Sequence, residues 1–360
     1  MHKQTANLSH QLLFKALSGL VLLLSVVGCA QPGPSQNSHP GPASPPLGSP
    51  LFTYNGHSDR VTTVAWSPNG KRIASGSLDK TVQVWDAKVS KEFQVYTYHG
   101  HSGSILTVAW SPDSKRVASG SSDKTIQIWD ATTGDHRTIL RGHTDRVTTV
   151  AWSPDGTLLA SGSADGTVRI WDVNSGQQKY VYRGHTDAVN VVAWSPDGKR
   201  IASGSSDKTV QILASATGQR LFVYRGHTNT VSSLSWSPDG KRIASGSWDK
   251  SVQVWDASSG AVAYTYRGYN VEAAKSDQTK GILPDLIFAV AWSHNGKRIA
   301  AVTQVYCGDV CDIVVLLDAH NGNYDGSYQT LPMFAIAWSP DDTRLVEGLG
   351  LSTARITQAG

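Results

Sequence analysis

Histidine, serine and aspartate residues recur together along this 360-residue chain, and their types and spacing suit acid–base and nucleophilic chemistry. A serine, a histidine and an aspartate in one cleft form the triad of many hydrolases, in which the histidine activates the serine. Each set here also ends with a tryptophan. The sets are His57, Ser75, Asp79 and Trp85; His101, Ser119, Asp123 and Trp129; His143, Ser161, Asp165 and Trp171; and His227, Ser245, Asp249 and Trp255.

The number of copies argues against catalysis. A hydrolase needs one such set in one cleft, beside a site that stabilises the oxyanion. Four equivalent sets instead indicate a structural network. The hydroxyl role stays open at this point, because Ser77 stands two residues after Ser75 and suits it equally. The chain also lacks a phosphate-binding glycine loop, an HExxH motif and a GxSxG motif.

The sets belong to an internal repeat of roughly 40–45 residues, which is the length of a propeller blade. Short β-rich runs such as VTTVAW and RIASGS alternate with turn signals such as SPDG. Phrases of the AWSP type occur seven times, which predicts seven units. The dipeptide Gly-His occurs five times, ending at His57, His101, His143, His185 and His227.

With Gly-His near the start of a unit and Trp-Asp near its end, residues 51–360 resemble the WD40 repeat family. The resemblance implies an all-β, seven-bladed β-propeller with four-stranded antiparallel blades. In that family an N-terminal strand closes the ring, which here pairs residues 51–55 with the blade built from residues 333–360. Closure removes exposed sheet edges.

The resemblance also implies a structural role for the four sets, which we call tetrads. The tryptophan and the histidine donate hydrogen bonds, the serine relays them and the aspartate accepts. Such a buried polar network is stable only when every member has a partner. Blade four has Leu213 and Ala214 in place of Trp-Asp, so its tetrad lacks the tryptophan.

The first 28 residues have the pattern of a signal peptide. Lysines and the apolar run LVLLLSVV precede Val-Val-Gly-Cys, which ends at Cys29 and resembles the bacterial lipobox. This resemblance implies that Cys29 carries a lipid and tethers the chain outside a bacterial cytoplasmic membrane. An ordinary cleavage site and an uncleaved anchor are the alternatives. Residues 29–50, rich in Pro, Ser and Gly, predict a linker before the propeller at 51–360.

Cys307 and Cys311 flank a short turn in the segment YCGDVC. In an exported protein this spacing predicts a disulfide across the turn. A metal site that includes His294 and His320 is the alternative. We expect no cofactor.

Departures from the repeat mark the candidate binding residues. Residues 270–285 lengthen one connection of blade six, and the turn that carries both cysteines is also longer. The family's geometry places both insertions on one face, here called the top face. Trp248 occupies the slot before the tetrad aspartate, where family members bind partners. Further top-face candidates are Phe288, Phe334, Arg60, Arg146, Leu106 and Asn190.

The candidates divide into two arcs. Trp248, Phe288 and Phe334 fall in blades five to seven, whereas Arg60 and Arg146 fall in the arc that we expect to lie opposite. Clustered aromatic residues are typical of interface hot spots. The alternative is that the two phenylalanines pack under the insertion and that Trp248 reflects chance drift.

Charge excludes one class of function. The formal net charge is only +4, and the charged residues recur as Lys-Arg and Asp-Lys pairs in each repeat, so we expect no nucleic acid partner. The sequence predicts a non-enzymatic, monomeric scaffold that binds a protein or peptide on its top face. The alternatives are a sensor or enzyme for a small molecule or glycan, with Asp277 or Asp309 as active groups, and an envelope-assembly factor.

Overall fold

The structure is a computed structural model that describes residues 45–88, 96–267, 286–306 and 310–360; of residues 304–306, 310 and 311 it describes the backbone alone. These parts of the chain form seven four-stranded antiparallel sheets and contain no helix. In six sheets the strands follow chain order, and the seventh combines the first strand with the last three. The predicted all-β, seven-bladed fold is confirmed.

Each blade runs from a first strand at the central channel to a fourth strand at the outside. Blades one to three contain β2 (Val61–Trp66), β3 (Arg72–Ser77), β4 (Val82–Asp86) and β5 (Tyr96–Tyr98); β6 (Ile105–Trp110), β7 (Arg116–Ser121), β8 (Ile126–Asp130) and β9 (Thr138–Leu140); and β10 (Val147–Trp152), β11 (Leu158–Ser163), β12 (Val168–Asp172) and β13 (Gln178–Tyr182).

Blades four and five repeat this order. Blade six has longer strands, and the fourth strand of blade seven is the N-terminal strand β1. Blades four to seven contain β14 (Val189–Trp194), β15 (Arg200–Ser205), β16 (Val210–Ala214) and β17 (Arg220–Tyr224); β18 (Val231–Trp236), β19 (Arg242–Ser247), β20 (Ser251–Asp256) and β21 (Val262–Tyr266); β22 (Leu286–Trp292), β23 (Arg298–Tyr306), β24 (Val310–Asp318) and β25 (Tyr324–Thr330); and β26 (Met333–Trp338), β27 (Arg344–Leu349), β28 (Ala354–Gln358) and β1 (Pro50–Tyr54).

The N-terminal strand closes the ring as expected. β1 pairs antiparallel with β28, with Phe52 opposite Ile356 and Tyr54 opposite Ala354. The strand is displaced by one residue from the predicted range 51–55. The last blade therefore has the same four-stranded cross-section as the others.

Residues just before β1 also contact the propeller. The Gly48 amide donates to the Gln358 carbonyl at 2.9 Å, and Leu47 packs against the hydrophobic cluster shared by blades six and seven. Contact with the propeller thus begins inside the range 29–50 that the composition assigns to the linker.

Blades pack face to face, so the second strand of each blade is buried on both sides. This explains why, in blades one to five, that strand ends in the small residues Ala-Ser-Gly-Ser. A Cβ at Gly76 would lie only 2.5 Å from Ile105 of the next blade, so a larger residue does not fit there.

The AWSP-type tryptophans join neighbouring blades near the bottom of the channel. Five of them donate from Nε1 to a backbone carbonyl in the first strand of the preceding blade, whereas Trp66 and Trp292 are buried without such a bond among the described residues. The five bonds join Trp110 to Ala65 (3.1 Å), Trp152 to Ala109 (3.1 Å), Trp194 to Ala151 (3.0 Å), Trp236 to Ala193 (3.2 Å) and Trp338 to Ala291 (3.0 Å).

The first strand of every blade contains a β-bulge, and the bulge lies at the equivalent position in all seven blades. In blade one the pairing register shifts between Val61 and Thr63, which leaves Thr62 as the extra residue. A bulge re-aims the side chain of its extra residue. Because the first strand lines the channel, these seven residues surround its top opening, and we call them the mouth residues: Thr62, Leu106, Thr148, Asn190, Ser232, Phe288 and Phe334.

Candidate binding face

The tetrad of blade one is a continuous hydrogen-bond chain. His57 Nδ1 lies 2.8 Å from Asp79 Oδ2, and His57 Nε2 lies 2.8 Å from Ser75 Oγ. Trp85 Nε1 donates to the same Ser75 oxygen at 3.3 Å. Ser77, the alternative, instead donates to the Asp59 carbonyl and accepts from the Asp79 amide. The structure therefore assigns the hydroxyl role to Ser75.

The same arrangement recurs in the other predicted sets. Histidine Nδ1 lies 2.8 to 2.9 Å from the aspartate, and histidine Nε2 lies 2.8 to 2.9 Å from the serine. Blade four keeps three members of the network, His185, Ser203 and Asp207, with Leu213 in place of the tryptophan.

One tryptophan departs from the expected chain. Trp129 Nε1 is buried without a hydrogen-bond partner among the described residues, so blade two lacks the expected bond to Ser119. Trp129 is instead stacked on Tyr98, with ring centroids 4.4 Å apart. Trp171, which packs against Leu140 where other blades have a tyrosine, makes the shortest such bond, 2.8 Å to Ser161. Where a tyrosine ring stacks on the tryptophan, the indole–serine bond is longer or absent.

Charge within the tetrads follows from burial and hydrogen bonding. Burial lowers the pKa of His57 and outweighs the opposing effect of Asp79. Burial alone raises the pKa of Asp79, but hydrogen bonds from Thr81 and His57 outweigh it, and the net pKa lies below the usual value. The resting state is therefore a neutral imidazole that donates from Nδ1 to a carboxylate and accepts at Nε2 from the serine.

This arrangement has the connectivity of a hydrolase triad but not its access. The side chain of Ser75 is 0% exposed, and the equivalent serines of the other blades are also fully buried. A nucleophile must reach its substrate, so this burial supports a structural role. The tetrads tie the outer strands to the inner ones in the blades that contain them.

A tyrosine–glutamine pair, which the sequence reasoning missed, completes four of these networks. Tyr98 Oη donates to Gln127 Oε1 at 2.6 Å, and Gln127 Nε2 donates to the Gly100 carbonyl at 3.0 Å. Blade three replaces both partners, with Leu140 for the tyrosine and Arg169 for the glutamine. This joint replacement was the sequence signal. The other pairs are Tyr54 with Gln83, Tyr182 with Gln211, and Tyr224 with Gln253.

Blade seven replaces its tetrad with a buried ion-pair network, also missed. Glu347 stands in register where other blades have the tetrad serine, and Arg355 Nε donates to its Oε2 at 2.9 Å. Tyr328 and Thr357 donate to Oε1, and Thr330 donates to Oε2. Burial, followed by the charge of Glu347, raises the pKa of Tyr328 well above its usual value. All members have partners, so this network substitutes for the lost tetrad.

Some of the mouth residues form hydrogen bonds between neighbouring blades, and others do not. Thr62 Oγ1 donates to the Ile105 carbonyl of the next blade at 2.7 Å, and Ser232 Oγ donates to the Ile287 carbonyl at 2.5 Å. Thr148 makes the equivalent bond to the Val189 carbonyl. These polar mouth residues hold neighbouring blades together.

Asn190, predicted as a binding residue, belongs to this structural group. Its Nδ2 donates to the Val231 carbonyl at 3.0 Å and to Ser206 Oγ at 3.1 Å. Both amide hydrogens are therefore engaged within the ring. Leu106, Phe288 and Phe334 have no polar side-chain atom and make no bond of this kind.

Phe288 and Phe334 occupy adjacent blades at the mouth. Their rings meet edge to face, with centroids 6.4 Å apart and an interplanar angle of 82°. Phe334 is 37% exposed, and Phe288 is half-buried. The insertion 270–285 lies outside the described residues, so the structure does not describe any packing of these rings under it.

Trp248 is 42% exposed, in the slot before the tetrad aspartate of blade five. Its amide donates to the Thr230 carbonyl at 2.9 Å. The same backbone bond joins Leu78 to Arg60 at 3.0 Å, so this slot borders the start of the first strand and the mouth. We call Trp248, Phe288 and Phe334 the aromatic arc.

Two exposed leucines extend the aromatic arc, and the sequence reasoning missed them. Leu331, 44% exposed, precedes β26, and Leu351, 56% exposed, lies in the top turn after β27. Large exposed apolar residues elsewhere in the described chain are Leu221, Val262 and Tyr324, which lie on outer strands. The top face of blades five to seven thus carries most of the exposed apolar side chains.

Ring closure corrects the expected position of Arg60. The sequence reasoning placed Arg60 opposite the aromatic arc, but blade one adjoins blade seven. The Val61 amide, next to Arg60, lies 3.5 Å from the Leu351 carbonyl. Arg60 therefore borders the arc, whereas the exposed Arg146 of blade three stays apart from it.

Several predicted features fall outside these observations. Cys29 and Cys307 lie outside the described residues, and the side chain of Cys311 is not described. In the described chain, no three His, Cys, Asp or Glu side chains are grouped so as to hold a metal ion. The same residues include no helix long and apolar enough to cross a membrane.

Seven four-stranded blades around a channel, with repeated buried tetrads, define the class of β-propellers. The family model described as WD domain, G-beta repeat matches residues 48–86, 92–130, 134–172, 176–212 and 218–256, just over half of the chain. The protein therefore belongs to the WD40 family. These matches correspond to blades one to five.

Curated relatives match over single repeats. The chain is 51% identical over 39 residues to the probable cytosolic iron-sulfur protein assembly protein CIAO1 homolog of Chlamydomonas reinhardtii, covering 11% of each chain. It is 44% identical over 48 residues to eukaryotic translation initiation factor 3 subunit I of Aspergillus niger, covering 13% of this chain and 14% of that one. It is 66% identical over 29 residues to actin-interacting protein 1 of Drosophila melanogaster, covering 8% and 5%. The chain thus spans a small fraction of each relative's length.

Proposed function

We propose that this protein is a non-enzymatic scaffold that binds a protein or peptide partner at the aromatic arc of its top face. WD40 propellers are typical protein-interaction scaffolds and are in general not enzymes. Aromatic side chains that stay exposed in a cluster are characteristic of interface hot spots.

One observation carries this proposal. Four mouth residues donate a side-chain hydrogen bond to a carbonyl of the next blade. Phe288 and Phe334, in two successive blades, have no side-chain donor and cannot form it. Each such bond contributes about 0.5–1.5 kcal/mol to stability. Phe334 remains 37% exposed, so its ring returns little packing to the fold, whereas Phe288 also packs against the cluster shared by blades six and seven. A gain in binding accounts for the exchange.

A glycan or small-molecule function has less support. Recognition of a sugar needs hydrogen-bonding groups that converge on the ligand. The donors of Thr62, Thr148 and Ser232 at the mouth are directed into neighbouring carbonyls. The mouth therefore offers mainly carbon surface, which suits an apolar side chain.

We also propose that a lipid on Cys29 tethers the propeller to the outer side of a bacterial cytoplasmic membrane. The lipobox-like tetrad that ends at Cys29 supports this, together with the Pro-rich linker that leads to β1. Replacement of Cys29 by Ser should release the protein from the membrane fraction. Retention of this variant would contradict lipid anchoring.

Substitutions that restore the repeat test the binding proposal. Trp248→Ser introduces the residue that Ser122 and Ser206 provide in blades two and four. Val262→Ala, on an outer strand, removes an exposed apolar residue elsewhere and is the matched control. We expect wild type and Val262→Ala to retain the same proteins in affinity capture from the native envelope, and Trp248→Ser to lose a defined subset. Identical capture by all three would contradict the proposal.

A further inference from the structure

We propose that the partner segment is an acidic peptide whose bulky apolar side chain enters the channel mouth beside Phe288 and Phe334. This inference rests on the proposed function and adds the chemistry of the partner. The apolar component follows from the mouth, and the acidic component follows from the charges around it.

The mouth presents aromatic carbon surface to an apolar side chain, because Phe334 is exposed and Phe288 is half-buried. Phe334 lies against Gly350, where a Cβ would stand 3.4 Å from the ring. The Gly350 amide donates to the Pro332 carbonyl, which is the bond that Trp248 makes in blade five. Blade seven therefore has a glycine where blade five has an indole. Blade seven thus has no side chain at the position that Trp248 fills in blade five, and 37% of Phe334 stays exposed.

Basic side chains are distributed around the top face. They stand at the starts of first strands, at the tips of the turns between second and third strands, and in the connections before each Gly-His. All are exposed except Arg60, which is half-buried. They are Arg60, Arg146, Lys80, Lys124, Lys208, Lys250, Arg141, Arg183, Arg225 and Arg267.

Among the described residues, the acidic side chains on this face are fewer, and some of them are engaged in hydrogen bonds. Asp59, Asp145 and Asp187 each direct one carboxylate oxygen to the amide of the following residue, at 2.6 to 2.7 Å. The tetrad aspartates are almost completely buried. Among the described residues, the accessible charge of the top face is therefore predominantly positive, although the net charge of the whole chain is small.

Four lysines at the turn tips adopt a backbone conformation that lysine disfavours. Lys80, Lys124, Lys208 and Lys250 have φ of 69° to 71°, in the left-handed region. Gly166 occupies the same turn position in blade three, with φ of 77°, so glycine is compatible with the fold there. Lysine at four of these five tips is strained locally, and at Lys80, Lys124 and Lys208 attraction of an anionic partner gives a reason for it.

A peptide fits this face better than a nucleic acid does. Bases stack on open aromatic faces, whereas Phe288 is half-buried and its ring meets the Phe334 ring edge to face. Asp59, Asp145 and Asp187 stand beside the mouth, where they would repel a continuous phosphate backbone. A peptide with separate carboxylates can reach the outer cations and avoid these three aspartates.

Peptide selection tests the inference. The full propeller is panned against a displayed library of random dodecamers, and selected peptides are titrated by fluorescence anisotropy. We expect the selected peptides to combine Asp or Glu with Leu, Phe or Trp and to bind more weakly as salt increases. We expect Phe334→Thr to lose at least tenfold in affinity for them.

A second experiment removes charge from the turn tips without adding backbone strain. The triple variant Lys80→Gly, Lys124→Gly, Lys208→Gly places at each tip the residue that Gly166 already provides. It should bind the selected peptides about tenfold more weakly, since three partly exposed ion pairs are lost. The bottom-face variant Lys199→Gln should bind like wild type.

The outcomes separate this inference from the proposed function. Selected peptides without acidic enrichment that still depend on Phe334 would overturn the acidic partner and leave the scaffold proposal intact. Peptides indifferent to both Phe334→Thr and Trp248→Ser would overturn both. Tighter binding of a single-stranded oligonucleotide or of anionic phospholipid vesicles than of any selected peptide, or no selection at all, would also overturn the acidic peptide.

Discussion

Glu347 and Arg355 form a buried ion pair in blade seven, with 2.6 Å between Glu347 Oε2 and Arg355 Nη2. They face each other across β27 and β28, as Ser75 and Gln83 do in blade one. Three hydroxyl groups complete the partners of the carboxylate. The blade that accepts the closing strand is therefore held by charge where blades one to five are held by a histidine–serine network.

Removal of one partner should destabilise the ring strongly. Arg355→Ala leaves the fully buried Glu347 carboxylate without its counter-charge, and such losses cost about 3–5 kcal/mol. We expect this decrease in the free energy of unfolding by urea denaturation. The pair variant Glu347→Ser, Arg355→Gln, which restores the repeat residues, should cost less than Arg355→Ala alone. A loss below about 1 kcal/mol for Arg355→Ala would show that the pair is not structural.

The tetrad tryptophans should not be equivalent. Trp171 donates to Ser161 at 2.8 Å, whereas Trp129 has no hydrogen-bond partner among the described residues. Phenylalanine at position 171 removes a hydrogen bond, and phenylalanine at position 129 does not. We expect Trp171→Phe to cost about 1 kcal/mol more than Trp129→Phe in thermal or urea unfolding. Equal losses would indicate that packing alone determines the role of the indole.

Stability should fall as the solution becomes acidic. The pKa of His57, His101 and His143 is lowered in the fold, mainly by burial, so the unfolded chain binds protons that the folded chain does not. This stability is complete above the unfolded histidine pKa of about 6.5 and is lost as the pH falls toward the folded values. Urea titrations between pH 7 and pH 5 measure the slope. His57→Gln should reduce it, and an unchanged slope would contradict the assignment.

Asp312 should make the stability of the fold depend on pH in the opposite direction. It is almost fully buried, its Oδ2 accepts the Met333 amide at 2.6 Å, and burial raises its pKa to about 6. A raised carboxyl pKa adds stability that is present at low pH and is lost as the pH rises through about 6. Asp312→Asn keeps an acceptor for Met333 without the charge. We expect it to stabilise the protein by about 1–2 kcal/mol at pH 7, after discounting for solvent screening, and by much less at pH 4.5. Destabilisation at pH 7 would contradict this account.

Much of the fold was predictable because the same strand and turn signals recur in the same order in each repeat. Alternating runs, turn residues and seven AWSP-type phrases determine the blade count, and the unpaired run before His57 predicts ring closure. Blade seven was harder, since the role of Glu347 depends on partners from two blades that no local pattern brings together.

The candidate site was predictable in part. Trp248, Phe288 and Phe334 stand out because they depart from the repeat, and the structure places all three on the top face. Asn190 also departs from it, but only the distance to the Val231 carbonyl reveals its structural role. The position of Arg60 beside the arc follows from ring closure, which relates residues far apart in sequence.

The most direct test of the account is the affinity of one captured partner for wild type and for Phe334→Thr, measured by isothermal titration calorimetry. Threonine at this mouth position restores the bond that Thr62 makes, here to the Val61 carbonyl, so the fold should be at least as stable. If the aromatic arc is the binding site, the affinity falls by at least about 30-fold, as for a hot-spot residue. An affinity within twofold of wild type would contradict binding at the aromatic arc.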